Sequence, residues 1–148
     1  MGKSLLGCFL SQIIDNTSMQ VTVFKEIPEI ALAYQYGSSL ESAKKDPNDI
    51  DIGILLNCEV MAERRFEILE KIARTLQKEH NKEIDVAVMN QASPMLCYQV
   101  LKKGKLIYGD KKVAKEFLVR TLTRYFDYLF MHQYFVDRMK KRLGVENG

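Results

Sequence analysis

Cysteine, histidine and proline are all scarce in this 148-residue chain, and each scarcity closes off a class of protein. The three cysteines, Cys8, Cys58 and Cys97, are odd in number, far apart and without a Cys-x-x-Cys pair. That excludes a disulfide framework and a zinc site, and it points to the cytoplasm, with buried free thiols as the ordinary use of such residues. The two histidines, His80 and His132, stand alone with no metal-ligand spacing. Only three prolines are present, with no Pro-rich or Gly/Ser-rich run, so nothing divides the chain and 1–148 reads as a single domain. Uninterrupted apolar stretches are also missing. The most apolar window, Phe117 to Val136, is broken by Arg120, Arg124, Asp127 and His132, which argues against a membrane span. At the amino end Leu6 stands where a myristoylation signal needs Ser or Thr, and no small-residue cleavage site follows Leu10.

Charge is modest as well. A net charge of +3 is too small to imply nucleic acid, and no direct nucleic-acid binding is expected. Its distribution is more telling. Residues 1–110 carry 13 Lys/Arg against 15 Asp/Glu, while residues 111–148 carry 9 against 4. The carboxyl-terminal segment is basic, and the carboxylates with chemical potential lie in the body.

The pattern predicts three parts: a helical extension over 1–24, a core over 25–110, and one long helix over 111–148. Pro28 opens an extended segment ending at Gly37, and residues 38–45 are expected to form a short helix stopped by Pro47. Asp49 to Leu56 alternates strictly at its start and reads as a strand. Met61 to His80 reads as an amphipathic helix burying Phe66, Leu69, Ile72, Ala73 and Leu76. Ile84 to Met89 is the next strand, Ser93-Pro94 starts a helix running to Lys103, and Lys105 to Tyr108 is a short extended piece. The fold class is therefore α/β (α+β): a small mixed sheet of three to four strands flanked by helices.

Asp49 and Asp51 are two apart on one strand, so their side chains leave the same face, with Cα atoms roughly 6.5 Å apart. Ile50 and Ile52 point the other way and can be buried. Asp85 interrupts a second apolar strand; if the two strands are neighbours, it joins the pair on one rim. An oxygen-only donor set that leaves room for phosphates suits magnesium better than zinc. Taken alone, an Asp-x-Asp pair is most often a turn at a solvated edge, and Asp85 an exposed strand residue. Gly37-Ser38, after a strand and ahead of a short helix, is by itself a turn. Together with carboxylates downstream it becomes a grip for phosphate facing a metal site.

Gly37-Ser38, ten residues, then Asp49-Ile50-Asp51 resembles the GSx10DxD signature of the DNA polymerase-beta-like nucleotidyltransferases. The spacing is similar to their minimal branch, the MNT proteins paired with HEPN toxins in prokaryotic toxin–antitoxin systems. Ile84-Asp85-Val86-Ala87-Val88-Met89-Asn90, Ser93-Pro94, and Val100-Leu101-x-x-Gly104-x-x-Ile107-Tyr108 continue the likeness. The resemblance implies a nucleotidyltransferase fold, with Asp49, Asp51 and Asp85 as catalytic metal ligands for Mg2+, two ions being expected. It also implies Gly37, Ser38 and Ser39 as contacts to the nucleotide, ATP or another NTP. Where the family typically carries Arg or Lys followed by Gly, this chain has Glu41 and Ser42; Lys44 and Lys45 are the cations placed to compensate. The implied reaction moves NMP, AMP in the first instance, to a hydroxyl. The implied acceptor is a tyrosine of an all-helical HEPN ribonuclease toxin, which makes the chain an antitoxin. Transfer to a small molecule and non-catalytic occlusion of the partner are the alternatives.

The last helix carries apolar residues on every side between Phe117 and Val136, more than one face of a two-layer domain can bury. Part of that surface is expected to meet a partner or a second copy of the chain; the competing reading is a helix inserted between the domain and the amino-terminal extension. Tyr34 and Tyr36 run along the first strand toward the site, where they could touch the nucleotide, core packing being their expected role.

Overall fold

Nearly every side chain of Ile30–Tyr36 is apolar, and that segment forms the central strand, β1, covered on both faces. The structure is a computed structural model that describes residues 22–40 and 48–145. On one side β1 pairs antiparallel with β2 (Asp49–Leu56), and on the other with β4 (Lys105–Gly109). The outer strand β3 (Glu83–Val88) runs parallel to β2, giving the order β3-β2-β1-β4 and the four-stranded mixed sheet expected. Between β1 and β2 the chain makes a 3-10 turn over Gly37–Leu40. The short helix expected over 38–45 is described only to that extent, because residues 41–47 lie outside the described residues.

A parallel neighbour requires a crossover, and α2 (Ala62–His80) provides it between β2 and β3. The helix ends at Asn81, which adopts the left-handed conformation (φ 50°) and donates its backbone N–H to Gln77 O at 2.9 Å. Ile68, Ile72 and Leu76 of α2 pack with Ile50, Ile52, Ile54 and Leu56 of β2, and with Val23 and Phe24 of the short helix α1 (Thr22–Lys25). The buried stripe therefore includes Ile68, whereas Phe66, expected to be buried, is 66% exposed. Of the expected amino-terminal helical extension only α1 is described; residues 1–21 lie outside the described residues.

Strand alternation sends the other half of the sheet's side chains to the opposite face. There Leu32, Tyr34 and Leu55 pack under α3 (Pro94–Lys103) and the first half of α4 (Lys111–Arg142). Both helices begin as their sequences predict. Ser93 Oγ accepts the Leu96 N–H at 3.2 Å ahead of Pro94, and Asp110 accepts the Lys112 N–H at 2.7 Å. The Gly104 N–H closes α3 on Val100 O at 2.7 Å.

At the end of the β2–β3 pair away from Asp49, Asn90 extends the ladder with its side chain. Its Oδ1 accepts the Leu56 N–H at 2.8 Å, and its Nδ2 donates to Leu56 O at 2.9 Å. Among the described residues no helix is long and apolar enough to cross a membrane.

Candidate active site

The register of β2 and β3 decides where the carboxylates stand. Asp51 lies directly beside Asp85, and Asp49 beside Glu83. Since Ile50, Ile52 and Ile54 face α2, while Ile84, Val86 and Val88 pack into the same cluster, Asp49, Asp51 and Asp85 emerge on the opposite face. They sit at the starts of their strands, at the sheet end where β1 finishes and the Gly37 turn begins. Tyr36, the last residue of β1, is the antiparallel partner of Asp51. The adjacency on which Asp85 depended is thus present, and five residues converge at one rim.

Burial grades the three carboxylates. Asp49 and Asp85 are exposed, and Asp51 is half-buried. Burial raises the Asp51 carboxyl above the ordinary carboxylate range, and the charges of Asp49 and then Asp85 push it further. Crowded like charges of this kind favour a cation, and carboxylate oxygens are the donors that hard divalent ions take. The donor set therefore fits magnesium. Among the described residues no three His, Cys, Asp or Glu side chains close into a ready-made metal cage, so the three carboxylates share a rim without being drawn tight.

Gly37 has φ 80°, a conformation costly for any residue with a side chain. It also makes room: a Cβ at position 37 would run into the Asp51 Oδ2 oxygen. Ser38 and Ser39 belong to the same turn. Lys44 and Lys45, and with them Glu41 and Ser42, lie outside the described residues.

Tyr36 is more than the core residue expected. It is half-buried, and its ring edge lies against Gly53, where the Cε1 atom would be 3.5 Å from an added Cβ. Its hydroxyl is raised above the ordinary phenol range by burial, and then by the charges of Asp51 and Asp85. The signal in the sequence was its place immediately before Gly37. Tyr34, by contrast, is buried beside Phe117, as core packing predicts. Helix α3 abuts both β1 and the Gly37 turn; its last turn carries Lys102 and Lys103, and Lys102 Nζ lies over the Tyr98 ring of the same helix.

A separate hollow of about 390 Å³ opens at the other end of the sheet, lined by Leu56, Cys58, Val60, Arg65, Val88 and Asn90 among others. Asp49, Asp51 and Asp85 do not border it.

Residues 21–113 match the family described as Polymerase beta, Nucleotidyltransferase. A curated relative, the protein adenylyltransferase MntA of Shewanella oneidensis, is 30% identical over 99 residues, or 67% of this chain and 68% of that protein. Among solved structures, the chain resembles one of a tri-AMPylated Shewanella oneidensis HEPN toxin in complex with MNT antitoxin. That match has 26% identity and a TM-score of 0.62, covering 80% of this chain and 91% of the other. A toxin–antitoxin crystal structure with AMP-PNP matches at 27% identity and a TM-score of 0.66, covering 80% and 94%.

Proposed function

Because this chain belongs to the polymerase-beta nucleotidyltransferase family, as a minimal member of the MNT type, we propose that it transfers AMP from ATP to a tyrosine hydroxyl of a helical HEPN-type toxin, as its cytoplasmic antitoxin. The observation that carries this reading is the rim itself: three carboxylates on adjacent strands, facing a glycine turn with positive φ. The kinship to a protein adenylyltransferase supports AMP as the transferred group and a protein as the acceptor.

In this reading residues 25–110 are the catalytic core. Asp49, Asp51 and Asp85 would hold Mg2+, two ions by the family pattern, and the metal when bound supplies charge neutralisation for the phosphates and eases ionisation of the acceptor. The backbone of the turn at Gly37, Ser38 and Ser39 contacts the phosphates, and the missing side chain of Gly37 leaves room for Asp51 beside it. Lys44 and Lys45 provide the positive charge that Glu41 does not. The acceptor oxygen forms a bond to the α-phosphorus as the bond from that phosphorus to the bridging oxygen breaks. Pyrophosphate leaves, and Asp85, the exposed carboxylate opposite Asp51, receives the acceptor's proton.

The test incubates the chain with α-labelled ATP, Mg2+ and the HEPN-type protein encoded beside it. Label on a toxin tyrosine, lost in Asp49→Ala/Asp51→Ala, is the expected result. If the double variant still neutralises the toxin as well as wild type, neutralisation is by occlusion and the catalytic reading falls. Label on a small-molecule hydroxyl in place of the protein would reassign the acceptor.

A further inference from the structure

Helix α4 is two different objects along its length. Ala114, Phe117, Leu118 and Thr121 are buried against the body, and beyond Thr121 no described residue of the helix is buried. The outer half nevertheless carries large apolar side chains, including Phe130 at 74% exposure and Phe135 at 63%. Taking 100° per residue, Phe126, Leu129, Phe130, Tyr134, Phe135 and Met139 surround the axis with no gap wider than about 100°. A helix that is apolar all round is ordinarily buried all round. One flat face, or a single helix laid alongside, would leave much of this surface wet.

The charge on the same segment selects among occupants. Residues 124–142 carry five cations (Arg124, Arg138, Lys140, Lys141, Arg142) against Asp127 and Asp137. Asp137 is engaged with Gln133 at 2.9 Å, and Arg138 is held over the Tyr134 ring. A second copy would bring the same positive excess to the interface, so like would meet like. Aromatic, methionine and arginine side chains are the ones enriched at the buried centres of protein interfaces.

We propose that the outer half of α4, residues 126–139, plugs an apolar groove between helices of an acidic-rimmed partner protein. This rests on the reading that the partner is the helical toxin, and it assigns the surface that holds the two proteins together, apart from the carboxylate rim that acts on the acceptor. The groove wraps the helix on several sides, and its acidic rim meets Arg138 and Lys140 to Arg142.

The experiment measures affinity by calorimetry between the full chain and the HEPN-type protein encoded beside it, with wild type, Phe130→Glu/Phe135→Glu, and Met61→Glu as a control at an exposed site on the body. Circular dichroism checks that each variant is folded. The expected result is a loss on the order of 100-fold for the double variant. Met61→Glu should be unchanged, and wild-type affinity should fall as salt is raised. Equal affinity of wild type and double variant overturns the inference, as does absence of any complex with wild type. A clearly lower melting temperature of Phe130→Glu/Phe135→Glu in the chain alone also overturns it, since residues 1–21 or a second copy would then be the cover, and sedimentation separates those two. The enzymatic reading is scored separately by label transfer: a toxin labelled without tail-dependent affinity leaves the function standing, and tail-dependent affinity without label leaves the interface standing.

Discussion

The Asp51 carboxylate occupies the space in which a side chain on Gly37 would stand. Glycine at position 37 therefore answers two demands: a backbone at φ 80° and an empty volume for a carboxylate from the neighbouring strand. Gly37→Ala should fail both. Strain in the left-handed region costs about 1–3 kcal/mol. Asp51 would also have to leave its rotamer. The expected outcome is a lowered melting temperature together with transfer activity reduced at least about 100-fold, because a ligand displaced by an ångström is severe in a positioning mechanism. Calorimetry and the label-transfer assay check it. A variant with wild-type turnover would show that Asp51 has no fixed seat.

Asp51→Asn should separate stability from activity. The folded protein raises this carboxyl above its unfolded value, through burial and through Asp49 and Asp85. Its ionised form is thus the unfavourable one in the fold. The stabilising contribution is fully present below the ordinary carboxylate range and is lost as pH rises through the raised folded value. Above that window Asp51→Asn is expected to melt higher than wild type, and at acid pH the difference should vanish, while transfer is abolished at every pH. Adding Mg2+ should raise the melting temperature of wild type and leave the variant nearly unmoved; chelation with EDTA should reverse the wild-type gain. Melting curves across pH, with and without the ion, test both statements.

Asn90 predicts the complementary case, stability without activity. Its side-chain amide makes two hydrogen bonds to the backbone of Leu56, at the end of the β2–β3 pair opposite the carboxylates. Asn90→Ala leaves a backbone N–H and a C=O without those partners, at about 1–3 kcal/mol. For a chain of this size that lowers the melting temperature by several degrees, on the order of 3 °C per kcal/mol. Turnover below the transition should stay within about twofold of wild type. Asn90→Asp should fall between, since it keeps the acceptor for Leu56 N–H and loses the donor.

Much of this was legible before any coordinates because alternation is a strong code. Asp49-Ile50-Asp51-Ile52 separates a wet face from a packed one, and β2 obeys it. Ser93-Pro94 likewise announces its helix by the chemistry of capping. Adjacency was not legible. That Asp85 lies beside Asp51 and not one residue off is a matter of register between strands linked by a 19-residue helix, and no local signal in either strand specifies it. The approach of Tyr36 to the site was legible from its place before Gly37, but its pairing with Asp51 across the sheet was not, for the same reason of register. The hollow under Gly37 that holds Asp51 is equally a product of tertiary placement.

The stripe of α2 shows how small an error in angle changes an assignment, and it yields the last test. Sequence periodicity placed Phe66 with Leu69, Ile72, Ala73 and Leu76. The observed stripe is centred nearer Ile68, Ile72 and Leu76, which leaves Phe66 about a third of a turn off its middle. Phe66 is 66% exposed, whereas Ile68 is 1% and Ile72 0% exposed. Hydrophobicity alone ranks phenylalanine above isoleucine as the costlier loss; the packing reverses that order. Phe66→Ala should change stability by no more than about 0.5 kcal/mol, as surface substitutions do. Ile68→Ala and Ile72→Ala should each cost about 2–4 kcal/mol, the transfer and cavity contributions of a filled core. Chemical denaturation of the three variants, read by their midpoints at constant slope, decides the matter. A Phe66→Ala loss as large as that of Ile72→Ala would mean that α2 is rotated toward the periodicity of the sequence and that the stripe described here is misplaced.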